Sequence, residues 1–148
     1  MTLPGNFSKM MVCIIFILVV EGALFSSLAG EIGPSHGINC NIHQNACSQK
    51  LPGYTVKLDI TPKPVSAMMD LSFRVLITGG KLQETPYIDL EMPGMKMGSN
   101  RVRLKAVNDT TYVGKGVIVR CPSGRRVWRA TVTFPQKGAV EFIFDVIY

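Results

Sequence analysis

Apolar and polar residues alternate along much of the chain from residue 54 onward, and this alternation constrains the fold more than any other feature. In the stretch "DLSFRVLIT" every second residue is apolar: Leu71, Phe73, Val75 and Ile77. Successive side chains of a β-strand point to opposite faces of the sheet, so a period of two predicts a strand with one buried face. The stretches "YTVKLDI" and "VWRATVTF" repeat the pattern.

Seven such stretches lie between Tyr54 and Tyr148, and turn-forming residues separate them. The separators include "TPKPV", "GG", "NDT", "CPSG" and "PQKG", which are rich in residues that interrupt a ladder or tolerate turn backbone. No stretch has the period of an amphipathic helix. We therefore predict an all-β protein, an immunoglobulin-like antiparallel β-sandwich of about seven strands, with Trp128 anchoring the core.

The first 29 residues have the organisation of a secretory signal peptide. Residues 10–20, "MMVCIIFILVV", are uncharged, and this run of about 11 residues is shorter than the ~20 that a membrane-spanning helix needs. Ser27 and Ala29 are small residues at cleavage spacing. An alternative is an uncleaved membrane anchor that continues through Phe25, although Glu21 interrupts it. We expect export to the periplasm, with membrane anchoring if the segment is retained.

Residues 30–53 form a cysteine-containing lead-in that we predict to be coil, because they show neither strand nor helix period. Export implies an oxidising compartment, so a disulfide is expected. Cys40 and Cys47 either pair with each other or one of them bridges to Cys121, and the odd cysteine stays free or pairs between molecules. Their spacing fits neither a c-type haem motif nor a zinc site built from two cysteine pairs.

The basic residues of the chain concentrate near one predicted turn. The formal net charge is +6, and four of the seven arginines lie within ten positions: Arg120, Arg125, Arg126 and Arg129. Such a patch is either a solvated strand end or a surface for anionic lipid head groups or an acidic partner. Nucleic acid is not expected as a partner of an exported chain.

Three methionines lie within six positions of the stretch "MPGMKM". Thioethers are soft, neutral ligands that suit Cu(I) and need no deprotonation. Pro93 and Gly94 fit the two central positions of a type II turn, which would bring the flanking methionines together. In the competing interpretation the methionines simply fill the core. The candidate metal ligands are these methionines and the two histidines of the lead-in: Met92, Met95, Met97, His36 and His43.

The run "YIDLEMPGMKMGSNRVRLKAVNDTTYVGKGVIVRCPSGRRVWRATVTF" resembles the YtkA-like domain family, which is related to FixH-like periplasmic domains. "MPGM", "TYVGKG" and "VWRATV" are the most specific pieces of the resemblance, which covers residues 54–148. It implies an exported or membrane-anchored immunoglobulin-like sandwich associated with copper handling or respiratory-oxidase assembly. Met92, Pro93, Gly94, Met95 and Met97 occupy the family's methionine motif.

Two functional hypotheses follow. In the first, the protein is a non-enzymatic accessory domain that binds copper and exchanges it with a donor or acceptor protein. In the second, it is a metal-free interaction module that docks on a membrane protein complex through the arginine patch. We do not expect an enzyme, because the two histidines lie in the lead-in and the sequence has neither a phosphate-binding loop nor a dinucleotide-binding motif. No small-molecule substrate is indicated.

Overall fold

A computed structural model describes residues 37–148, which form nine β-strands and no helix. The strands are β1 (Cys47–Leu51), β2 (Tyr54–Thr61), β3 (Asp70–Thr78), β4 (Tyr87–Glu91), β5 (Arg101–Arg103), β6 (Lys105–Ala106), β7 (Thr111–Val117), β8 (Val127–Phe134) and β9 (Gly138–Asp145). The predicted signal peptide and the candidate ligand His36 lie outside the described residues. In this part of the chain no helix is long and apolar enough to cross a membrane.

The strands form two antiparallel sheets that share one apolar core. One sheet has the order β1-β2-β3-β7-β6 and the other the order β5-β4-β8-β9. The apolar residues of the alternating strand faces are buried, among them Phe73, Val75, Leu90 and Phe142, and Trp128 is fully buried, as expected of a core anchor. The prediction of an all-β fold is confirmed, and the two sheets give the body a sandwich-like arrangement with nine strands rather than about seven.

The sequence interpretation differs from the structure in the lead-in. Residues 47–51 were predicted to be coil but form β1, which pairs with β2 in the register Cys47↔Leu58 to Leu51↔Tyr54. The alternation in this short segment is weak because β1 is an edge strand, with only Leu51 buried. A single apolar position cannot reveal a period of two.

The stretch "RVRLKAV" also differs from the sequence prediction of one continuous strand, because it is divided between the two sheets. Residues 101–103 pair with β4 in one sheet, whereas residues 105–106 pair with β7 in the other. The chain therefore changes sheets at Leu104, which is buried. A change of sheet leaves the alternation intact, so the sequence pattern alone predicted one continuous strand.

The two sheets approach each other closely at Gly114 on β7. A Cβ atom at this residue would lie 2.5 Å from the carbonyl oxygen of Arg103, which is closer than nonbonded heavy atoms pack. This close approach lies beside the point where the chain changes sheets.

The lead-in covers the edge of the second sheet before it enters the first. The backbone N–H groups of Asn39 and Cys40 both donate to the carbonyl oxygen of Ile143 on β9, at 3.0 and 3.1 Å. The Asn39 side chain accepts the N–H of Ile143 at 2.8 Å and donates to the carbonyl oxygen of Glu141 at 3.2 Å. A disulfide between Cys40 and Cys47 then closes the loop that leads into β1. Polar groups that an edge strand would leave unpaired are satisfied in this way.

The turns of the body gather at two ends. At one end lie the start of β3 and the ends of β4, β7 and β9, because Asp70 pairs with Val117, Glu91 with Arg129, and Val127 with Asp145. We call this the sulfur end, since it carries the turn after β4 and the segment before β8. Residues 37–148 contain both sheets, the disulfide and the whole shared core, so a chain that begins at residue 30 keeps every element described here.

Candidate metal site

The turn that follows β4 has the geometry predicted from Pro93 and Gly94. The N–H of Met95 donates to the carbonyl oxygen of Met92 at 3.1 Å, which closes a four-residue turn. Gly94 has a φ of 75°, the left-handed value that the third residue of a type II turn requires and that glycine adopts without steric cost. This turn leaves Met95 half-buried at the sulfur end, where it packs against the core.

A second proline turn stands opposite the first. The N–H of Gly124 donates to the carbonyl oxygen of Cys121 at 3.0 Å, so residues 121–124 also form a tight turn. The two turns bring the thioether sulfur of Met95 to 3.9 Å from the thiol sulfur of Cys121. Two sulfur atoms from distant parts of the sequence are therefore in contact.

The three methionines of the motif face different surroundings. Met92 is only 2% exposed and belongs to the core, as the inward phase of β4 predicted. Met95 is half-buried and touches Cys121. Met97 is also half-buried, but it lines a surface depression of about 300 Å³ together with the outward-facing residues Asp89 and Thr131. Met92 thus lies in the core, Met95 and Met97 both pack against it, and Met95 also contacts Cys121.

Cys121 is held in an environment that favours its thiolate. Its sulfur lies 2.9 Å from the hydroxyl oxygen of Ser123, and this hydrogen bond is the main cause of a pKa below that of an ordinary cysteine. Backbone hydrogen bonds from residues 123 and 125 and the positive charge of Arg125 act in the same direction, whereas burial opposes them. A lowered pKa increases the fraction of the form that binds metals.

Tyr148 fixes the segment that carries Cys121. Its hydroxyl oxygen accepts the N–H of Cys121 at 3.2 Å and lies 3.5 Å from the indole nitrogen of Trp128. The same hydroxyl donates to the carbonyl oxygen of Arg125. Because Trp128 is fully buried, this network ties the thiol segment to the rigid core, which favours a constant distance between Cys121 and Met95.

The imidazole ring of His43 contacts the backbone of Val65 and the side chain of Asp145. Its Nδ1 atom accepts the backbone N–H of Val65 at 3.1 Å, and its Nε2 atom lies 3.4 Å from a carboxylate oxygen of Asp145. The geometry of this second contact does not meet the criteria for a hydrogen bond, so Nε2 has no hydrogen-bond partner. Both ring nitrogens face protein groups, so a metal would have to displace one of these contacts.

The cysteines divide into a bonded pair and a thiol. Of the alternatives left open by the sequence, the structure has the disulfide between Cys40 and Cys47. Cys121 is the free cysteine of residues 37–148 and is 4% exposed. The alternative in which Cys40 or Cys47 bridges to Cys121 is therefore not the one the structure has. Sequence reasoning did not indicate that the sulfur of Cys121 lies next to that of Met95.

The arginine patch is smaller than the sequence suggested. Arg120, Arg125 and Arg126 are exposed at the sulfur end. Arg129 differs, because β8 lies between β4 and β9 and its guanidinium contacts acids on both neighbours. It donates to Glu91 at 2.7 and 3.0 Å and lies 3.4 Å from Glu141. Arg129 therefore belongs to an ion-pair network on the sheet and not to the free basic surface.

Within residues 37–148, no group of three or more His, Cys, Asp and Glu side chains lies close enough together to hold a metal ion. No known protein-family profile, curated protein or solved structure matches the chain. The contact between the sulfurs of Met95 and Cys121 is the structural feature of this end that bears on function. The resemblance to YtkA-like domains is a prediction from the sequence.

Proposed function

We propose that the protein is an exported, non-enzymatic accessory domain that binds Cu(I) between the thiol sulfur of Cys121 and the thioether sulfur of Met95. The single observation that carries the proposal is the 3.9 Å distance between these two sulfurs. A metal–thiolate bond is about 2.3 Å long, so one ion bonded to both sulfurs spans a separation of this order. Thiolate and thioether are both soft ligands, the class that Cu(I) prefers.

The proposed site is electrically neutral when one Cu(I) ion is bound. Binding displaces the proton of the Cys121 thiol, and the resulting thiolate neutralises the single positive charge of Cu(I). The Ser123 hydroxyl supports the thiolate from 2.9 Å. No electron is transferred in this step, so it is a binding reaction and not catalysis. Met92 and Met97 shape the turn and do not ligate the ion in this proposal.

The proposal includes a partner protein and a location. Two sulfur ligands leave a Cu(I) ion open to a further ligand, which suits exchange with a copper donor or acceptor protein at the sulfur end. An oxidising periplasm would explain why Cys40 and Cys47 are bonded. The finer fold assignment, an immunoglobulin-like sandwich of the YtkA-like kind, belongs to the same proposal.

The test is anaerobic Cu(I) titration of the chain that begins at residue 30, in competition with a chromophoric chelator. This chain lacks Cys13 and keeps the disulfide and both sheets. We expect Met95→Leu to weaken binding, because leucine keeps the apolar volume but removes the sulfur. Met97→Leu is the matched control in the same loop and should bind as the unmodified chain does.

Two outcomes would contradict the proposal. Equal Cu(I) affinity of the unmodified chain and the Met95→Leu variant would remove Met95 as a ligand. Loss of binding in Met97→Leu with retention in Met95→Leu would instead favour a site in the depression beside Asp89. Circular dichroism of each variant separates lost ligation from lost folding.

A further inference from the structure

The sulfur end also carries apolar side chains that the core does not use. Met68 and Met69 precede β3 and are 67% and 47% exposed, and Val119 and Ile147 are exposed beside them. Met68 has a φ of 59°, an uncommon value for a methionine. Exposed large apolar residues that cluster on one surface point to an interaction.

Backbone contacts place these residues on one continuous surface. The N–H of Met68 donates to the carbonyl oxygen of Ile118 at 2.8 Å. The N–H of Ala67 donates to the carbonyl oxygen of Ile147, also at 2.8 Å. The segment before β3 therefore lies between the segment after β7 and the segment after β9. Val119 follows Ile118 directly, so Met68, Val119 and Ile147 are neighbours in space.

The three exposed arginines adjoin this apolar cluster. Arg120 follows Val119, and its guanidinium carbon lies 5.7 Å from the centre of the Tyr148 ring. The carbonyl oxygen of Arg126 accepts the N–H of Val146, and that of Arg125 accepts the Tyr148 hydroxyl. We call this the basic-apolar surface, made of Met68, Met69, Val119, Arg120, Arg125 and Arg126.

The acidic residues at this end neutralise the surface only in part. Asp59 pairs with Lys63, Glu91 pairs with Arg129, and Asp145 faces His43. Asp70, beside Met69, is the further exposed acid. Within residues 37–148, none of Arg120, Arg125 and Arg126 forms a salt bridge. Their charges are available to an external anion.

We infer that the basic-apolar surface docks on an anionic lipid bilayer. Arginines bind lipid phosphates in the head-group layer, while protruding apolar side chains enter the boundary with the acyl chains. Tyr148 stands at the same surface, and tyrosine is enriched at membrane interfaces. Unpaired arginines beside exposed apolar side chains are the combination that a layer of anionic head groups over acyl chains complements, so charge and apolarity together favour the bilayer.

The experiment is flotation of the chain that begins at residue 30 with vesicles of phosphatidylcholine, with or without phosphatidylglycerol. We expect binding to the vesicles that contain phosphatidylglycerol, weakening with added salt, and much weaker binding to phosphatidylcholine alone. Replacing Arg120, Arg125 and Arg126 by glutamine should weaken binding roughly 100-fold, at about 1 kcal/mol for each charge.

The matched control removes the same charge from the opposite end of the molecule. Lys50, Lys81 and Lys137 are exposed there, and their replacement by glutamine should leave binding within about threefold. Met68→Ser combined with Met69→Ser should weaken binding roughly tenfold, for two partly inserted apolar side chains. Both methionines are exposed, so this variant keeps the core even if the arginine variant does not fold.

Three results would overturn the inference. One is the absence of binding to anionic vesicles. Another is an equal loss in the arginine and lysine variants, which would show attraction by net charge alone. The third is unchanged binding after both methionines are replaced, which would leave a purely electrostatic surface of the kind that an acidic protein also fits.

Discussion

The two places where this protein uses cysteine differ in what holds the sulfur. Cys40 and Cys47 lie seven positions apart, are bonded to each other, and close a loop that begins directly after Asn39, whose polar groups cover the edge of β9. Cys121 lies in a separate turn, remains a thiol, and contacts a methionine 26 positions earlier in the sequence. The first arrangement is a local staple, whereas the second depends on two turns meeting at one end of the body. One chain thus keeps a disulfide and a free thiol apart.

The largest effect we expect is on Cu(I) affinity, which should depend on Cys121 and not on the disulfide. Cys121→Ser should weaken Cu(I) binding by at least ~100-fold, since changes outside the ligand shell already cost 10–100-fold at many metal sites. The double variant Cys40→Ser, Cys47→Ser should bind Cu(I) with nearly unchanged affinity. Chelator competition measures both. A greater loss in the double variant would assign the metal to the lead-in.

The next prediction concerns stability, for which we expect the disulfide to matter more than Cys121. Removing the disulfide with Cys40→Ser and Cys47→Ser should lower the free energy of unfolding by about 2–3 kcal/mol, from the loop entropy released in the unfolded chain. Cys121→Ser should cost about 1 kcal/mol or less, because it closes no loop. Urea unfolding of the metal-free proteins measures this difference. Equal losses would mean that the disulfide loop contributes no more than a packing contact.

A smaller effect tests how the lead-in holds the sheet edge. Asn39→Ala should cost about 1–2 kcal/mol, because it removes two side-chain hydrogen bonds to β9 and leaves the Ile143 N–H without that acceptor. Asn45→Ala, in the neighbouring disulfide loop and outside this contact, is the control. Hydrogen exchange at Ile143 should accelerate only in the Asn39 variant. Protection that persists there would show that the staple alone secures the edge.

The smallest expected effect concerns the thiol itself. Ser123→Ala removes the hydrogen bond that chiefly lowers the pKa of Cys121, so the thiolate titration should move to higher pH. A pKa lowered by folding contributes stability that is present above the unfolded value and lost as the pH falls through the folded one. Thiolate absorbance against pH in the metal-free chain from residue 30 measures the shift. An unchanged midpoint would assign the lowered pKa to the backbone donors and Arg125 instead.

Much of the fold was predictable because burial repeats with the period of a strand. The inward faces of β2, β3, β4, β8 and β9 follow directly from alternation, and the Pro93–Gly94 turn follows from the backbone preferences of its residues. The edge strand β1 and the change of sheet at Leu104 were not predictable in the same way. An edge strand buries too little for its period to show, and a change of sheet leaves that period intact.

The candidate site was predictable only in part. The sequence indicated the methionine motif, and the structure retains Met95 while placing Met92 in the core and Met97 on another face. Cys121 was considered as a disulfide partner, since nothing in its own segment indicates a neighbouring thioether. The same holds for Arg129, whose ion pair with Glu91 depends on the register between β4 and β8.

By itself the sequence determined the elements that depend on neighbours along the chain. These are most of the strands with their buried faces, the two turns that contain proline, and a candidate disulfide between two cysteines seven positions apart. Only the tertiary structure decided which turns meet, which cysteine remains a thiol and which arginines stay unpaired. Alternation records which side of a strand is buried. It contains no information on which other strand, turn or sulfur lies across the core, because that choice is made by packing between distant segments.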